Sequence, residues 1–482
     1  MKNELSMAEN EKYTIGMIGL GTMGCNLLLN IADHGFSAAG YDKDTGKVAL
    51  LSQLGSGKNV KAFSDVKEFI QSLQSPRAVM MLVPAGKIVD HVIADLLPLL
   101  QKGDIIIDGG NSHFTDTELR STALAKNGYH FIGMGISGGE EGARNGPSMM
   151  PGGDEKAYQR VRLVFEAIAA KVDGEPCVTY TGSGASGHFV KMVHNGIEYA
   201  LMQLIAETYE ILKKGLHLDN DAIHNIFGKW NKGPLKSYLL EITAEIFSFK
   251  NAGGGELLLD DIKDEAKSKG TGKWTSQAAM DLNVPIPVID TSVSMRDLSK
   301  YKSLRKKAAA IFGDTPDGVL TNKPDEYLAK LEQAFYFSMI IVYAQGMHLL
   351  YKASETYDYK LRLDQIAKIW RGGCIIRSNF LEDVYKAFQS STELEHLLLD
   401  ATVQSILKSN LPGIRAVVSD AAQHGLPLPA FAACLNYFDA FRSKKMPSNL
   451  IQAQRDLFGA HTYELIGREG SFHTEWNSNA EA

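Results

Sequence analysis

Cysteine is scarce: four residues in 482, Cys25, Cys177, Cys374 and Cys434, widely separated and without CxxC or zinc-ligand spacing. That excludes a disulfide-stapled scaffold and points to reduced core thiols of a cytoplasmic protein. An excess of one charge is also missing, since 50 Lys and Arg face 56 Asp and Glu for a net −6, with no basic block. Bulk binding to nucleic acid or an anionic membrane is thereby excluded, although a local basic pocket for a small anion is not. No apolar run has the length of a membrane span, and the opening MKNELSMAENEKY is too polar and acidic for a secretory signal. No His/Asp/Glu cluster has ligand spacing, so no metal is expected. What remains is an ordinary globular composition, 44% hydrophobic and 22% charged, in a chain too long for one core. Two or three domains are expected.

Residues 13–18 are apolar enough for a buried strand. They run into Gly19-Leu20-Gly21-Thr22-Met23-Gly24, a helical stretch over 25–33, and a second strand over 37–41 ending at Asp42. Strand, GxGxxG, helix, strand and acidic residue form the dinucleotide-binding fingerprint in its required context. The glycines allow the tight turn and the approach of backbone to pyrophosphate, and the helix N-terminus offers free N–H groups to the anion. Asp42 suits the adenosine ribose hydroxyls and repels a 2′-phosphate, with Asp44 adding to the repulsion and Lys43 opposing it, so NAD⁺ is favoured over NADP⁺. Further strands at 78–83, 104–108 and 129–134, with helices between, predict a doubly wound, mostly parallel sheet. Val83-Pro84-Ala85 and Asp108-Gly109-Gly110-Asn111 sit at strand ends where such sheets bind ligands. Asn111 is either a turn former or a bridge between nicotinamide and substrate. The glycine-rich segment 137–148 predicts a loop, either mobile or presenting backbone N–H groups to a ligand.

Residues 186–201, SGHFVKMVHNGIEYAL, sort into two faces at about 100° per residue. Val190, Val193, Ile197, Ala200, Leu201 and Leu204 make an apolar stripe. Lys191, His194, Asn195, Glu198 and Tyr199 lie opposite, as a solvated face or as a set of groups able to hold or move protons. Beyond this helix the periodicity stays helical to about residue 443, with a weak repeat. Trp230-Asn231-Lys232-Gly233 and the following 236–241 resemble Trp370-Arg371-Gly372-Gly373 and 377–382. The helix over 338–352, roughly equivalent to the first, is mostly apolar, so the second copy reads as structural. Lys267–Trp274 is either a phosphate cradle or a solvated basic loop, Arg296 a candidate buried anion ligand, and 300–307 a solvated face. Past Lys445 the tail carries Gln454–Tyr463, too short for a core of its own. The expected division is 1–185, a dinucleotide-binding domain; 186–443, an all-helical domain; and 444–482, the tail.

On GLGTMG, GGNS, SGGEEGARNGPSMMPGG, GHFVKMVHNGIEY, KGTGKW and QRDLFGAHTYE, the chain resembles the decarboxylating 6-phosphogluconate dehydrogenase family over nearly its whole length. The resemblance implies a Rossmann domain, an all-helical domain with an internal duplication, and a tail that reaches the other subunit of a homodimer. It implies oxidation of 6-phosphogluconate by NAD⁺ or NADP⁺ with loss of CO₂ to ribulose 5-phosphate. By resemblance Lys191 is the general base and Glu198 the general acid. Asn111, Ser137, Gly138, Gly139, His194 and Asn195 hold the sugar acid. Tyr199, Lys269, Thr271, Arg296 and the tail's Arg455 hold the phosphate, with His461 beside them. Three departures fall in the cofactor half. Asp42-Lys43-Asp44 replaces a common Asn-Arg-Thr, Gly21 a frequent alanine, and Pro84 a common lysine. Two other readings remain: a β-hydroxyacid dehydrogenase for a short, non-phosphorylated acid, and a dinucleotide-binding scaffold without catalysis.

Overall fold

The computed structural model describes residues 12–250, 257–314, 320, 323–391 and 393–476. The chain divides into two compact units, Met1–Ala433 and Cys434–Ala482.

The first unit opens with a seven-stranded sheet of order β3-β2-β1-β4-β5-β6-β7. Its strands are β1 Ile15–Ile18, β2 Ala38–Tyr41, β3 Val60–Phe63, β4 Ala78–Met81, β5 Ile105–Asp108, β6 His130–Ser137 and β7 Ser148–Gly153. Six run parallel and β7 returns antiparallel to β6, with Ser137 opposite Ser148. The central strands β1, β2, β4 and β5 are buried at every position, as a sheet covered by helices on both faces requires. The chain direction reverses about β1, which has β2 on one side and β4 on the other. The ligand crevice of such a sheet lies outside the carboxyl ends of that pair. Helix α1, Thr22–Asp33, starts there. It begins three residues before the expected 25, because the last glycine of the fingerprint is already helical. A Cβ on Gly24 would stand 1.9 Å from the Gly19 carbonyl oxygen, so only glycine lets α1 approach β1 so closely.

The loop expected over 137–148 is not one loop. Residues Gly139–Asn145 form a short helix, α2, and Ser148 opens β7. Gly142 stands inside α2, but the other glycines of the stretch mark its ends. Gly138, Gly139 and Gly146 take positive φ at the two ends of α2, where they turn the chain into and out of it.

Helix α3, Ser186–Glu210, follows, and its first turns lie directly on the sheet. A side chain on Gly187 would meet the carbonyl oxygens of Gly133 and Met150 at 2.1 and 2.3 Å, so the helix packs against the backbone of β6 and β7. The apolar stripe is buried as expected, and so are Lys191, His194, Asn195 and Tyr199 on the opposite face. The solvated-face reading therefore fails. The rest of the unit is helical. Asn220–Trp230 and Tyr238–Ile246 have counterparts in Leu363–Ile369 and Phe380–Ser390, and the copies meet where Ser237 pairs antiparallel with Ser378. Between them lie α4, Thr271–Asp281, and α5, Pro287–Ser299. They are followed by Lys302–Phe312, which has no buried residue, and by α6, Pro324–Thr356. Contrary to the sequence expectation, α6 is long and apolar enough to cross a membrane, with a window of mean hydropathy 1.2; 83% of that window is buried inside the fold.

The second unit holds the helix Ser448–Gly459 and the antiparallel strands Tyr463–Leu465 and Arg468–Phe472. Asp456, fully buried, ties them together. It accepts from Thr462 N–H (3.0 Å), His473 Nδ1 (2.9 Å), Thr474 N–H (3.1 Å) and Trp476 Nε1 (2.8 Å).

Candidate active site

At the crevice beside β1, no side chain caps the N-terminus of α1, whose first N–H groups stay available to an anion. Asp42, at the end of β2, accepts from Leu20 N–H at 2.8 Å and from Asp44 N–H at 2.9 Å. These bonds, with Lys47 at 3.5 Å, hold its carboxyl below the ordinary range against the opposing effect of burial. A cavity of about 490 Å³ opens here, lined by Gly19, Tyr41, Asp42, Lys43, Val83, His91 and Asp95 among others. It is of a size for an adenosine moiety beside a pyrophosphate cradle, so the residues present fit a dinucleotide. Lys43 pairs with Asp95 at 3.3 Å. Gly19 to Gly24, Asp42, Lys43, Asp44 and Val83-Pro84-Ala85 thus share one end of the sheet. Gly110 packs against the Val83 carbonyl, which brings the Asn111 loop beside them. That loop is shaped by the buried Asp108, which accepts from Gly110 N–H (3.0 Å) and Ser112 Oγ (2.6 Å). It is joined to α4 by His113, whose ring stands edge-on to Trp274 at 4.9 Å.

The proton-handling face of α3 forms the next layer. Lys191 Nζ stands 3.4 Å from His194 Nδ1. The same ring nitrogen is 3.2 Å from Asn195 Oδ1 and 4.0 Å from Glu198 Oε2. The other nitrogen, Nε2, lies 3.1 Å from Ser137 Oγ, where β6 ends. Burial pushes the Lys191 amine down, with the Glu198 charge opposing. Burial pushes the Glu198 carboxyl up, against Lys191 and Arg296. Each group is thus moved toward its uncharged form. Burial and the neighbouring lysine together drive His194 well below its usual value, so the imidazole is neutral.

A third layer joins α4 and α5 to α3. The Arg296 guanidinium lies over the Tyr199 ring at 3.6 Å from its centroid and donates to the Lys267 carbonyl at 3.4 Å. It is half-buried rather than buried, because it covers the phenol face and leaves its outer edge open. Thr271 is buried at the first turn of α4, which has no side-chain cap, and Lys269 is exposed just before it. Gly272, next to Thr271, packs directly on the Tyr199 ring, which brings Thr271 to the same corner as Tyr199 and Arg296. Arg455 and His461 belong to the second unit, where both are exposed.

The sequence reading found the second repeat copy but took it as purely structural; its 370–375 turn touches His194 and Ser137. Trp370 stands edge-on to His194 with centroids 5.6 Å apart, and Ile375 N–H donates to Ser137 Oγ at 3.4 Å. Cys374, wholly buried, is near enough to Lys191 for their charges to interact. The available signal was the departure of Trp-Arg-Gly-Gly-Cys from the first copy's Trp-Asn-Lys-Gly-Pro.

Two family models account for nearly all the chain. The NAD binding domain of 6-phosphogluconate dehydrogenase matches residues 14–182, and the 6-phosphogluconate dehydrogenase C-terminal domain matches 187–476. The chain is 49% identical over 465 residues to the NADP⁺-dependent, decarboxylating 6-phosphogluconate dehydrogenase of Bacillus subtilis, covering 96% of this chain and 99% of that one. It is 46% identical to the decarboxylating enzyme of Escherichia coli, again over 96% and 99%. A solved structure of Plasmodium falciparum 6-phosphogluconate dehydrogenase superposes with a TM-score of 0.93 at 43% identity, covering 96% of this chain and all of that one. That enzyme was determined in its apo form and in complexes with NADP⁺ and with 6-phosphogluconate.

Proposed function

The chain belongs to the 6-phosphogluconate dehydrogenase family and is a decarboxylating oxidoreductase, and from that premise we propose that Lys191 and Glu198 carry its proton chemistry on 6-phosphogluconate. The observation that carries this reading is the pairing of a buried amine and a part-buried carboxyl on one helix face, each pushed toward its neutral form. A bound NAD(P)⁺ supplies the hydride acceptor. The residues do the rest. The neutral Lys191 amine takes the proton of the C3 hydroxyl as the C3 hydride leaves, giving a 3-keto acid. The ammonium so formed hydrogen-bonds the ketone oxygen. When the C1–C2 bond breaks and CO₂ departs, its electron pair flows through C2 to that oxygen, which takes the ammonium proton. The protonated Glu198 then gives its proton to the carbon that lost CO₂. Lys191 withdraws the proton of the enediol's C3 hydroxyl, ribulose 5-phosphate results, and transfer of that proton from Lys191 to Glu198 restores both groups.

Asn111, Ser137, Gly138, Gly139, His194 and Asn195 hold the carboxylate and hydroxyl end. Tyr199, Lys269, Thr271 and Arg296 hold the phosphate, and the partner subunit of a homodimer contributes the tail residues Arg455 and His461. NAD⁺ is the preferred oxidant. Asp42, held charged at the end of β2, would repel a 2′-phosphate on the adenosine ribose, Asp44 adds a second negative charge, and Lys43 is engaged with Asp95. The test of the proton chemistry is Lys191→Ala. It should lower NAD(P)H formation by about 10³–10⁴-fold and abolish decarboxylation of added 3-keto-6-phosphogluconate. A variant that decarboxylates the keto acid at the wild-type rate overturns the double role.

A further inference from the structure

The mechanism requires Lys191 uncharged before substrate is turned over, and burial alone is a blunt way to achieve that. The contacts around His194 supply a second. Ser137 Oγ receives the Ile375 N–H at 3.4 Å and lies 3.1 Å from His194 Nε2. Ser137 is buried, and among the described residues its hydroxyl hydrogen has one acceptor in reach, that ring nitrogen. The hydroxyl therefore donates to Nε2, which leaves the proton of the neutral imidazole on Nδ1. The contact on the other side of the ring agrees with this arrangement: Asn195 Oδ1, an acceptor, stands 3.2 Å from Nδ1 and shares its single N–H with the lysine.

Nδ1 is also the atom that faces Lys191 Nζ, at 3.4 Å. We propose that the second repeat copy, through Ile375 N–H, Ser137 Oγ and His194 Nε2, fixes His194 in the tautomer that turns an N–H donor toward the Lys191 amine. A neutral amine accepts from that donor with its lone pair. An ammonium there would set donor against donor. The relay thus favours the basic form of Lys191 and makes Ser137 a positioning residue as well as a substrate ligand.

The other titratable groups facing Lys191 do not explain its state. Glu198, on the same helix, pulls the amine toward the charged form. Cys374, from the second copy, is pushed up to about 12 and is an uncharged thiol at neutral pH. Gly135 of β6 packs against the lysine Cβ with no side chain. Arg296 acts on Glu198.

The inference rests on the reading of Lys191 as the base, and its test uses substrate-free protein so that the two fail separately. Competitive acetylation with acetic anhydride across pH, read by mass spectrometry of the Lys191 peptide, gives the midpoint at which the amine becomes nucleophilic. Ser137→Ala should raise that midpoint by about one pH unit, which is about tenfold less neutral amine at pH 7, and Ser137→Thr should restore it. A role confined to substrate contact leaves the midpoint where it was, and an unmoved midpoint overturns the relay. ¹⁵N spectra of histidine-labelled wild-type protein, with His194 identified by its loss in His194→Gln, should show Nδ1 protonated and Nε2 bare. A proton on Nε2 overturns the proposal even if Ser137→Ala does not fold.

Discussion

A lysine and a glutamate seven residues apart on one helix face are unremarkable in a sequence; burial pushes each toward its uncharged form, as the proposed proton chemistry requires. The amine is pushed down by burial and partly held up by the Glu198 charge. Over the acidic limb of the kcat/KM profile, where Lys191 takes up its proton, Glu198 is still protonated and uncharged, so Glu198→Gln should leave that limb in place. The basic limb, which reports loss of the Glu198 proton, should vanish. The rate itself should drop by about 10²–10⁴-fold. A basic limb that persists in Glu198→Gln removes Glu198 as the titrating acid. At the other end of the cleft, Asp42→Asn should shift the NADP⁺ to NAD⁺ ratio of kcat/KM by about tenfold toward NADP⁺, as expected for deleting one charge near a dianionic phosphate. Steady-state kinetics with both cofactors on both proteins measures it. Asp42 was legible in the sequence because its place at the end of the second strand is fixed by topology. The His194–Ser137 contact was not, since it joins residues 57 apart.

At the scale of elements, the strands were legible because the central ones are buried on both faces and so nearly continuous in apolar residues. The stretch 137–148 misled. A count of glycines ignores whether they stand inside an element or at its ends, and here three of them turn the chain around α2. The tail is organised by Asp456, which receives four hydrogen bonds from the helix end and the strand pair and is held down at about 2, these bonds outweighing the opposing effect of burial. Its contribution to stability is present above the ordinary carboxylate range and lost as pH falls through about 2. The raised His473 contributes below its ordinary value, with loss as pH rises through the raised one. Arg455 adjoins this hub and His461 lies in the turn it fastens. Asp456→Asn should therefore lower the melting temperature of the tail and raise KM for 6-phosphogluconate by about tenfold, leaving KM for the dinucleotide unchanged. An unmoved sugar-acid KM would separate the tail from the site.

At the scale of the molecule, the duplicated helical unit does two jobs. The first copy supplies α3, which carries the groups proposed to react, and the second packs against them through Trp370, Cys374 and Ile375. Leu298, Tyr301, Leu304, Ile311 and Phe312 leave 45–86% of their surface exposed over α5 and the helix that follows it. Apolar surface of this extent is what an interface between protein chains would cover, and we propose that the homodimer proposed above buries it. Sedimentation should give twice the 52.8 kDa chain mass, and Ile311→Glu with Phe312→Glu should yield an inactive monomer. A dimer that persists with those changes places the interface elsewhere.

The dinucleotide fold and the family followed from the sequence alone. Short motifs with backbone duties, such as GLGTMG, and side chains spaced along one helix carry their geometry with them, because local chain geometry sets which residues share a turn or a face. The protonation states of Lys191 and Glu198, the orientation of the His194 ring, and the part played by the second repeat copy were decided by tertiary structure. Each depends on burial or on contacts between residues far apart in the chain, and no local pattern encodes how much water a packed core removes from an amine.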